Sequence, residues 1–166
     1  MALDRIRVSL ASQKLAGYRQ NQLVCLYPVS TALKGAGERE GSGCTPRGRH
    51  RIRARIGAEQ PRAAVFVGRR PTGEIWSPEL ASQQPQRDWI LSRILWLCGE
   101  QSGFNRGADC DSQRRFIYIH GTPDDQPMGV PLSHGCIRMR NEDVLELFAL
   151  TPVGCAVEIE EGPLDA

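Results

Sequence analysis

The sequence lacks a strong charge of either sign: 21 Lys and Arg stand against 19 Asp and Glu, a net charge of +2 over 166 residues. A protein that tracks phosphates concentrates uncompensated cations on one face, so no nucleic acid partner is expected. Long apolar runs are also missing. The longest, Trp89 to Cys98, is broken at Ser92-Arg93 and is far shorter than the roughly 20 residues of a bilayer helix, so no membrane span is expected. Residues Met1 to Arg7 are charged and alternating where a secretory signal would be continuously apolar. That pattern predicts a cytoplasmic protein, or a periplasmic one if the true start lies upstream. The cysteines at 25, 44, 98, 110, 136 and 155 include no Cys-x-x-Cys pair. Reduced thiols, most of them small buried hydrophobes, are the expected state.

What is present describes one globular domain, residues 1–166, in which roughly 70% of the unfolded chain's surface can be buried. Hydrophobic residues make up 40%, and 17 Gly with 11 Pro favour a turn-rich, mostly β chain. Ile6, Val8 and Leu10 alternate with polar neighbours, and Leu23 to Tyr27 is a short apolar run; both predict strands. A glycine-rich loop from Gly35 to Gly43 ends at the turn Thr45-Pro46-Arg47-Gly48. Ile52, Ala54 and Ile56 then alternate with Arg51, Arg53 and Arg55, a strand whose arginine face is read first as solvated and second as anion-binding. Ala64–Val67 and Glu74–Trp76, separated by Pro71-Thr72-Gly73, predict a hairpin.

Trp89, Ile90, Ile94 and Leu97 recur at helical spacing after Asp88, which predicts a helix capped by Asp88 and ended by Gly99. The stretch 77–115 as a whole is expected to form a lid over a site. Phe116 to Ile119 reads as a buried strand delivering His120-Gly121, and Asn141 as the cap of a second helix burying Val144, Leu147 and Phe148. Glu142 and Asp143 suit the positive end of that helix. Val157 and Ile159 make a last strand, so the expectation is a mostly β domain with two short helices.

Chemistry concentrates around Cys136. A thiol becomes a nucleophile when a base or cation beside it favours thiolate, and two of the three histidines, 120 and 134, lie nearby in sequence. His120 at a strand end is placed to take the thiol proton and return it to a leaving amine. Gly135 lets substrate approach the backbone, and the N–H groups of Gly135 and Cys136 are candidates for holding an oxyanion.

Ile119-His120-Gly121-Thr122, followed by Met128-Gly129-Val130-Pro131-Leu132-Ser133-His134-Gly135-Cys136-Ile137-Arg138-Met139, closely resembles the catalytic signature of the L,D-transpeptidase (YkuD-type) family. Tyr27-Pro28-Val29-Ser30-Thr31 and the Thr45-Pro46-Arg47-Gly48 turn resemble the family's early strands and its Thr-Pro-x-Gly turn. The resemblance implies a β-sandwich or barrel fold, Cys136 as nucleophile, His120 as general base and the Gly121 carbonyl as the group orienting His120. It implies that Gly135 and Cys136 form the oxyanion hole and that His134 and Ser133 shape the site and assist the thiol. Ser133, Arg138, Met128 and Gly129 are the candidate substrate-binding residues, with Arg138 facing a substrate carboxylate or the active-site loop. The loop between His120 and Ser133 is slightly shorter than is usual in the family.

The resemblance also implies the substrate: a murein tetrapeptide stem or muropeptide, cut between its diamino acid and terminal D-alanine, with no cofactor. Water as acceptor would make an L,D-carboxypeptidase of murein recycling, the outcome favoured by the amino-terminal pattern; an amine would make a cross-linking L,D-transpeptidase. A carbapenem, whose lactam carbonyl mimics the acyl donor, is expected to acylate Cys136. Two other classes compete. His120, His134 and Cys136 are one possible zinc triad, although the spacing of a zinc motif is absent and no metal is expected. A non-catalytic peptide-binding module on the same fold is the other. His50 is read as a surface or satisfied histidine.

Overall fold

The computed structural model describes residues 2–164; Met1, Asp165 and Ala166, part of the expected 1–166 domain, lie outside the described residues. Ten strands and two helices follow the chain: β1 Arg5–Ser9, β2 Lys14–Arg19, β3 Gln22–Pro28, β4 Gly48–Ile56, β5 Ala64–Val67, β6 Arg70–Ile75, α1 Pro78–Gln83, β7 Ile90–Gly99, β8 Tyr118–Gly121, β9 Ile137–Met139, α2 Asn141–Leu150 and β10 Ala156–Glu160. All strands join one open mixed sheet in the order β3-β2-β1-β10-β4-β7-β5-β6, with β8 on β7 and β9 on β8. The β1–β10 and β8–β9 pairs are parallel; the other pairs are antiparallel. The chain is mostly β with two helices, as expected.

Its main core gathers Ile6 and Val8 of β1, Leu95 and Leu97 of β7, Ile119, Ile137 and Met139, with Val144, Leu147 and Phe148 of α2 closing one side. Those three α2 residues are the ones predicted to face inward. Asn141, however, is the first residue of α2 rather than its cap, which is Arg140. Its side chain donates to Thr122 O and to Asp124 Oδ1, both at 3.0 Å, and accepts from Ser92 Oγ. Asn141 therefore ties α2 to β7 and to the loop that follows β8.

The largest departure from expectation is β7, which replaces the predicted helix over 88–99. Leu91, Leu95 and Leu97 are fully buried in the cores, while Ile94 packs into a second cluster with Tyr118, Trp96 and Cys136. A strand buried on both faces reads as a nearly continuous apolar run. Ser92, at φ 71°, shifts the β7–β8 register between Leu91 and Ile94. That bulge breaks the two-residue period and mimics a helical one. Asp88 is thus no helix cap, and 77–115 is no lid, since its centre is a core strand. The helix the spacing did not reveal is α1, capped by Ser77 Oγ accepting from Leu80 N at 3.1 Å, with Pro78 at its first position. The predicted hairpin forms with a different turn: Gly68 and Arg69, both at positive φ, link β5 to β6, and Pro71 to Gly73 lie within β6. Paired positive φ values match the twist of a two-residue hairpin. Strand β2, interrupted by Gly17, carried no apolar alternation to announce it.

Candidate active site

The parallel β8–β9 pair sets the site. Ile119 is level with Ile137 and His120 with Arg138; because side chains alternate, Ile119, Ile137 and Met139 enter the core, and Tyr118, His120, Cys136 and Arg138 share the other face. The residue pattern of two short strands therefore delivers thiol, imidazole and guanidinium to one surface.

His120 is buried, and its Nδ1 lies 2.7 Å from Gly121 O. A carbonyl only accepts, so this bond places the proton on Nδ1 and leaves the Nε2 lone pair available. Nε2 itself has no hydrogen bond among the described residues. Burial lowers the His120 pKa, partly countered by the Gly121 bond and by Asp88, which keeps the ring neutral at neutral pH. Only glycine fits at 121: a Cβ there would lie 2.6 Å from Leu91 O and 2.8 Å from Asn141 Oδ1. The backbone carbonyl expected to orient His120 does so, and β7 and Asn141 lock it in place.

Cys136 is half-buried. Its sulfur accepts from Tyr118 N at 3.4 Å and donates to Phe116 O at 3.3 Å. Desolvation pushes its pKa up to about 11, with the Tyr118 bond, Arg138 and Arg115 pulling the other way and Asp88 reinforcing the rise. The resting pair is thus neutral thiol and neutral imidazole. Cys136 opens onto a cavity of about 400 Å³ lined also by His134, Phe116, Arg115, Gly43 and Glu40.

The turn before the thiol is closed from within. Ser133 is buried and its hydroxyl donates to Cys136 O at 2.6 Å while accepting from Gly135 N at 3.2 Å. Two expectations change here. Ser133 builds the turn rather than facing substrate, and the Gly135 N–H is engaged by Ser133 instead of pointing at an oxyanion. Gly135, at φ 132°, is nonetheless required: a Cβ would meet Cys44 O at 3.1 Å. Thr45 Oγ1 donates to Gly135 O at 2.9 Å and accepts from Ala32 N at 3.0 Å, so the Thr45-Pro46 turn braces the cysteine turn directly.

His134 projects into solvent with its side chain 80% exposed, its Nδ1 3.7 Å from Asp88 Oδ2. Asp88 also meets Arg138 Nη2 at 3.3 Å. The Asp88–His134 pair stands between the Cys136 cavity and a second one of about 230 Å³, lined by Arg138, Asp88, Trp76, Trp89, Thr122 and Ala81 of α1 among others. Asp88 and Arg115 are site residues that the sequence reading missed. Met128 and Gly129 line neither cavity; Gly129 N instead donates to Val29 O at 2.9 Å, anchoring the loop. Among the described residues no group of three or more His, Cys, Asp or Glu side chains is arranged to hold a metal ion. His50 proves to be buried and satisfied, between Gly48 O at 3.1 Å and Ser112 Oγ at 2.8 Å.

The sequence and the fold of the chain both match known proteins. The family model described as the L,D-transpeptidase catalytic domain (YkuD) matches residues 3–159. The probable L,D-transpeptidase YbiS of Escherichia coli (strain K12) is 44% identical over 52 residues, 31% of this chain and 17% of that protein. An L,D-transpeptidase from Enterococcus faecium, solved as a C442S mutant, overlays with a TM-score of 0.57 at 14% identity, covering 96% of this chain and 50% of that one. L,D-transpeptidase 3 from Mycobacterium tuberculosis, in complex with a faropenem-derived adduct, overlays at 0.54 and 16% identity, covering 95% and 60%. The match thus spans about a sixth of YbiS and at most three-fifths of these solved chains. With a match that runs nearly end to end and the signature residues assembled on one face, the chain belongs to the L,D-transpeptidase catalytic domain (YkuD) family.

Proposed function

We propose that this chain catalyses acyl transfer from murein tetrapeptide stems through a thioester at Cys136. The single observation that carries the reading is His120: its Nδ1 is bound to Gly121 O, its Nε2 lone pair is available, and it shares one sheet face with the Cys136 thiol. Because burial holds the thiol protonated and the imidazole neutral, the proton leaves as the sulfur attacks rather than beforehand. Cys136 Sγ adds to the carbonyl carbon of the diamino acid, and its proton passes to His120 Nε2. The Cys136 N–H steadies the oxyanion. Collapse expels the D-alanine amine, which takes the proton back from His120, and leaves the acyl-cysteine.

An acceptor amine or water then gives its proton to His120 as it attacks the thioester, and the expelled Cys136 sulfur takes that proton back. The two cavities on either side of the Asp88–His134 pair offer separate approaches for donor and acceptor, which supports an amine and thus cross-linking. Hydrolysis, the L,D-carboxypeptidase outcome, differs only in the last step. Incubation with tetrapeptide muropeptide, alone and with a D-amino acid, separates the two by product mass. An exchanged product in the second tube is expected; tripeptide alone in both tubes would make the enzyme a carboxypeptidase. A β-lactam that acylates Cys136 should block both.

A further inference from the structure

Two arginines act on Cys136, and their charges are balanced differently. Arg138 faces Asp88 at 3.3 Å, so its charge is offset by a carboxylate that itself opposes a thiolate. Arg115 is half-buried and makes three bonds, to Gly37 O at 3.2 Å, Ser42 Oγ at 3.4 Å and Cys44 O at 2.6 Å. All three acceptors are neutral. Glu38, on the same loop, is held by Arg47 through both carboxylate oxygens at 2.9 Å. No carboxylate bonds Arg115 directly; burial is the largest influence and lowers its pKa, with the more distant charges of Glu38 and Glu40 only partly countering it.

The location of that charge suggests its use. A Cβ on Gly135 would lie 3.9 Å from Arg115 Nη2, so the guanidinium sits against the residue preceding the thiol. Arg115 and Cys136 line the same cavity. By bonding Gly37, Ser42 and Cys44, Arg115 also fixes the glycine-rich loop that forms one wall of that cavity, through Glu40, Gly41 and Gly43.

We propose that Arg115 is a positioning residue that pins the 37–44 loop beside Cys136 and, through a charge that no carboxylate bonds directly, makes this cleft receive molecules bearing a free carboxylate. This rests on the reading of Cys136 as nucleophile, and it narrows the molecule that enters by this cleft to a peptide or amino acid with an anionic end. The other charged or titratable groups around the thiol are Asp88 and Arg138 across the sheet face, Tyr118 and His120 of β8, His134 of the cysteine turn, and Arg114, Glu40 and Cys44 on the loops.

The test compares two alkylating reagents of similar size and the same leaving group, anionic iodoacetate and neutral iodoacetamide, at one pH, with Cys136 labelling read by peptide mass. A shifted loop or an altered thiol pKa scales both rates alike; local potential changes their ratio. Normalised to a small neutral thiol, the wild-type ratio should exceed one. It should fall about threefold to tenfold in Arg115→Met, as expected for removing one charge several ångströms away in a partly shielded site. Arg115→Lys should keep most of the ratio, and Arg114→Met, which removes an exposed charge, should change it little. A normalised wild-type ratio at or below one overturns the proposal without any variant, and so does an unchanged ratio in folded Arg115→Met. Failure of the nucleophile reading would show elsewhere, as murein turnover surviving Cys136→Ala.

Discussion

His50 and His120 are both buried, both bonded through Nδ1 to a backbone carbonyl, and both held below the usual histidine pKa by desolvation. They differ at one atom. His50 Nε2 is bound to Ser112 Oγ at 2.8 Å, whereas His120 Nε2 has no hydrogen bond among the described residues and shares its sheet face with a thiol. Burial and a depressed pKa therefore do not identify a base; a free lone pair beside a proton donor does.

Substitution should separate the two histidines by what is lost. His120→Ala should slow acylation of Cys136 by a carbapenem about 10²- to 10⁴-fold per folded molecule, the usual contribution of a general base, beyond any stability lost with its buried side chain. Growth of the adduct by intact mass measures this, and a loss under about tenfold would dissolve the distinction. His50→Ala should cost stability alone. It leaves a cavity and an unpaired Ser112 hydroxyl, costing about 2–4 kcal/mol in urea unfolding, while acylation per folded molecule stays near wild type.

Acid sharpens the same contrast. The His50 pKa lies at about 4 in the folded chain, below the roughly 6.5 of an unfolded one. As pH falls, the unfolded state takes its proton first, so the His50 contribution, up to about 3 kcal/mol, is present above about pH 6.5 and lost towards pH 4. The lowered His120 pKa acts with the same sign. Stability measured across that window should fall, and His50→Gln should flatten the slope. A slope unchanged in His50→Gln would contradict the assignment. The smallest effect belongs to Ser133→Ala, which removes the bonds to Cys136 O and Gly135 N and should cost about 1–2 kcal/mol; no loss of stability would return Ser133 to a substrate-facing role.

Cys136, His120 and Gly121 were legible in the sequence because a short signature lies along two strands whose alternation fixes which side chains share a face. The inward face of α2 was legible for the same reason, a clean period. Asp88 was not, because the bulge at Ser92 makes a doubly buried strand look helical and turned the residue before it into an apparent cap. Arg115 was hidden because its partners, Gly37, Ser42 and Cys44, are brought to it only by the fold. Ser133 and Gly135 were found as residues but misread in role: sequence identifies a conspicuous hydroxyl and a flexible backbone, and only geometry tells that they bond each other.

The acyl-enzyme at Cys136 is tested most directly by rapid mixing of wild-type enzyme with tetrapeptide muropeptide, acid quench during turnover, and peptide mapping by mass. A tripeptide acyl group on the Cys136 peptide, released D-alanine, and neither in Cys136→Ala is the predicted result. Free D-alanine produced by Cys136→Ala, with no adduct in the wild type, would contradict it.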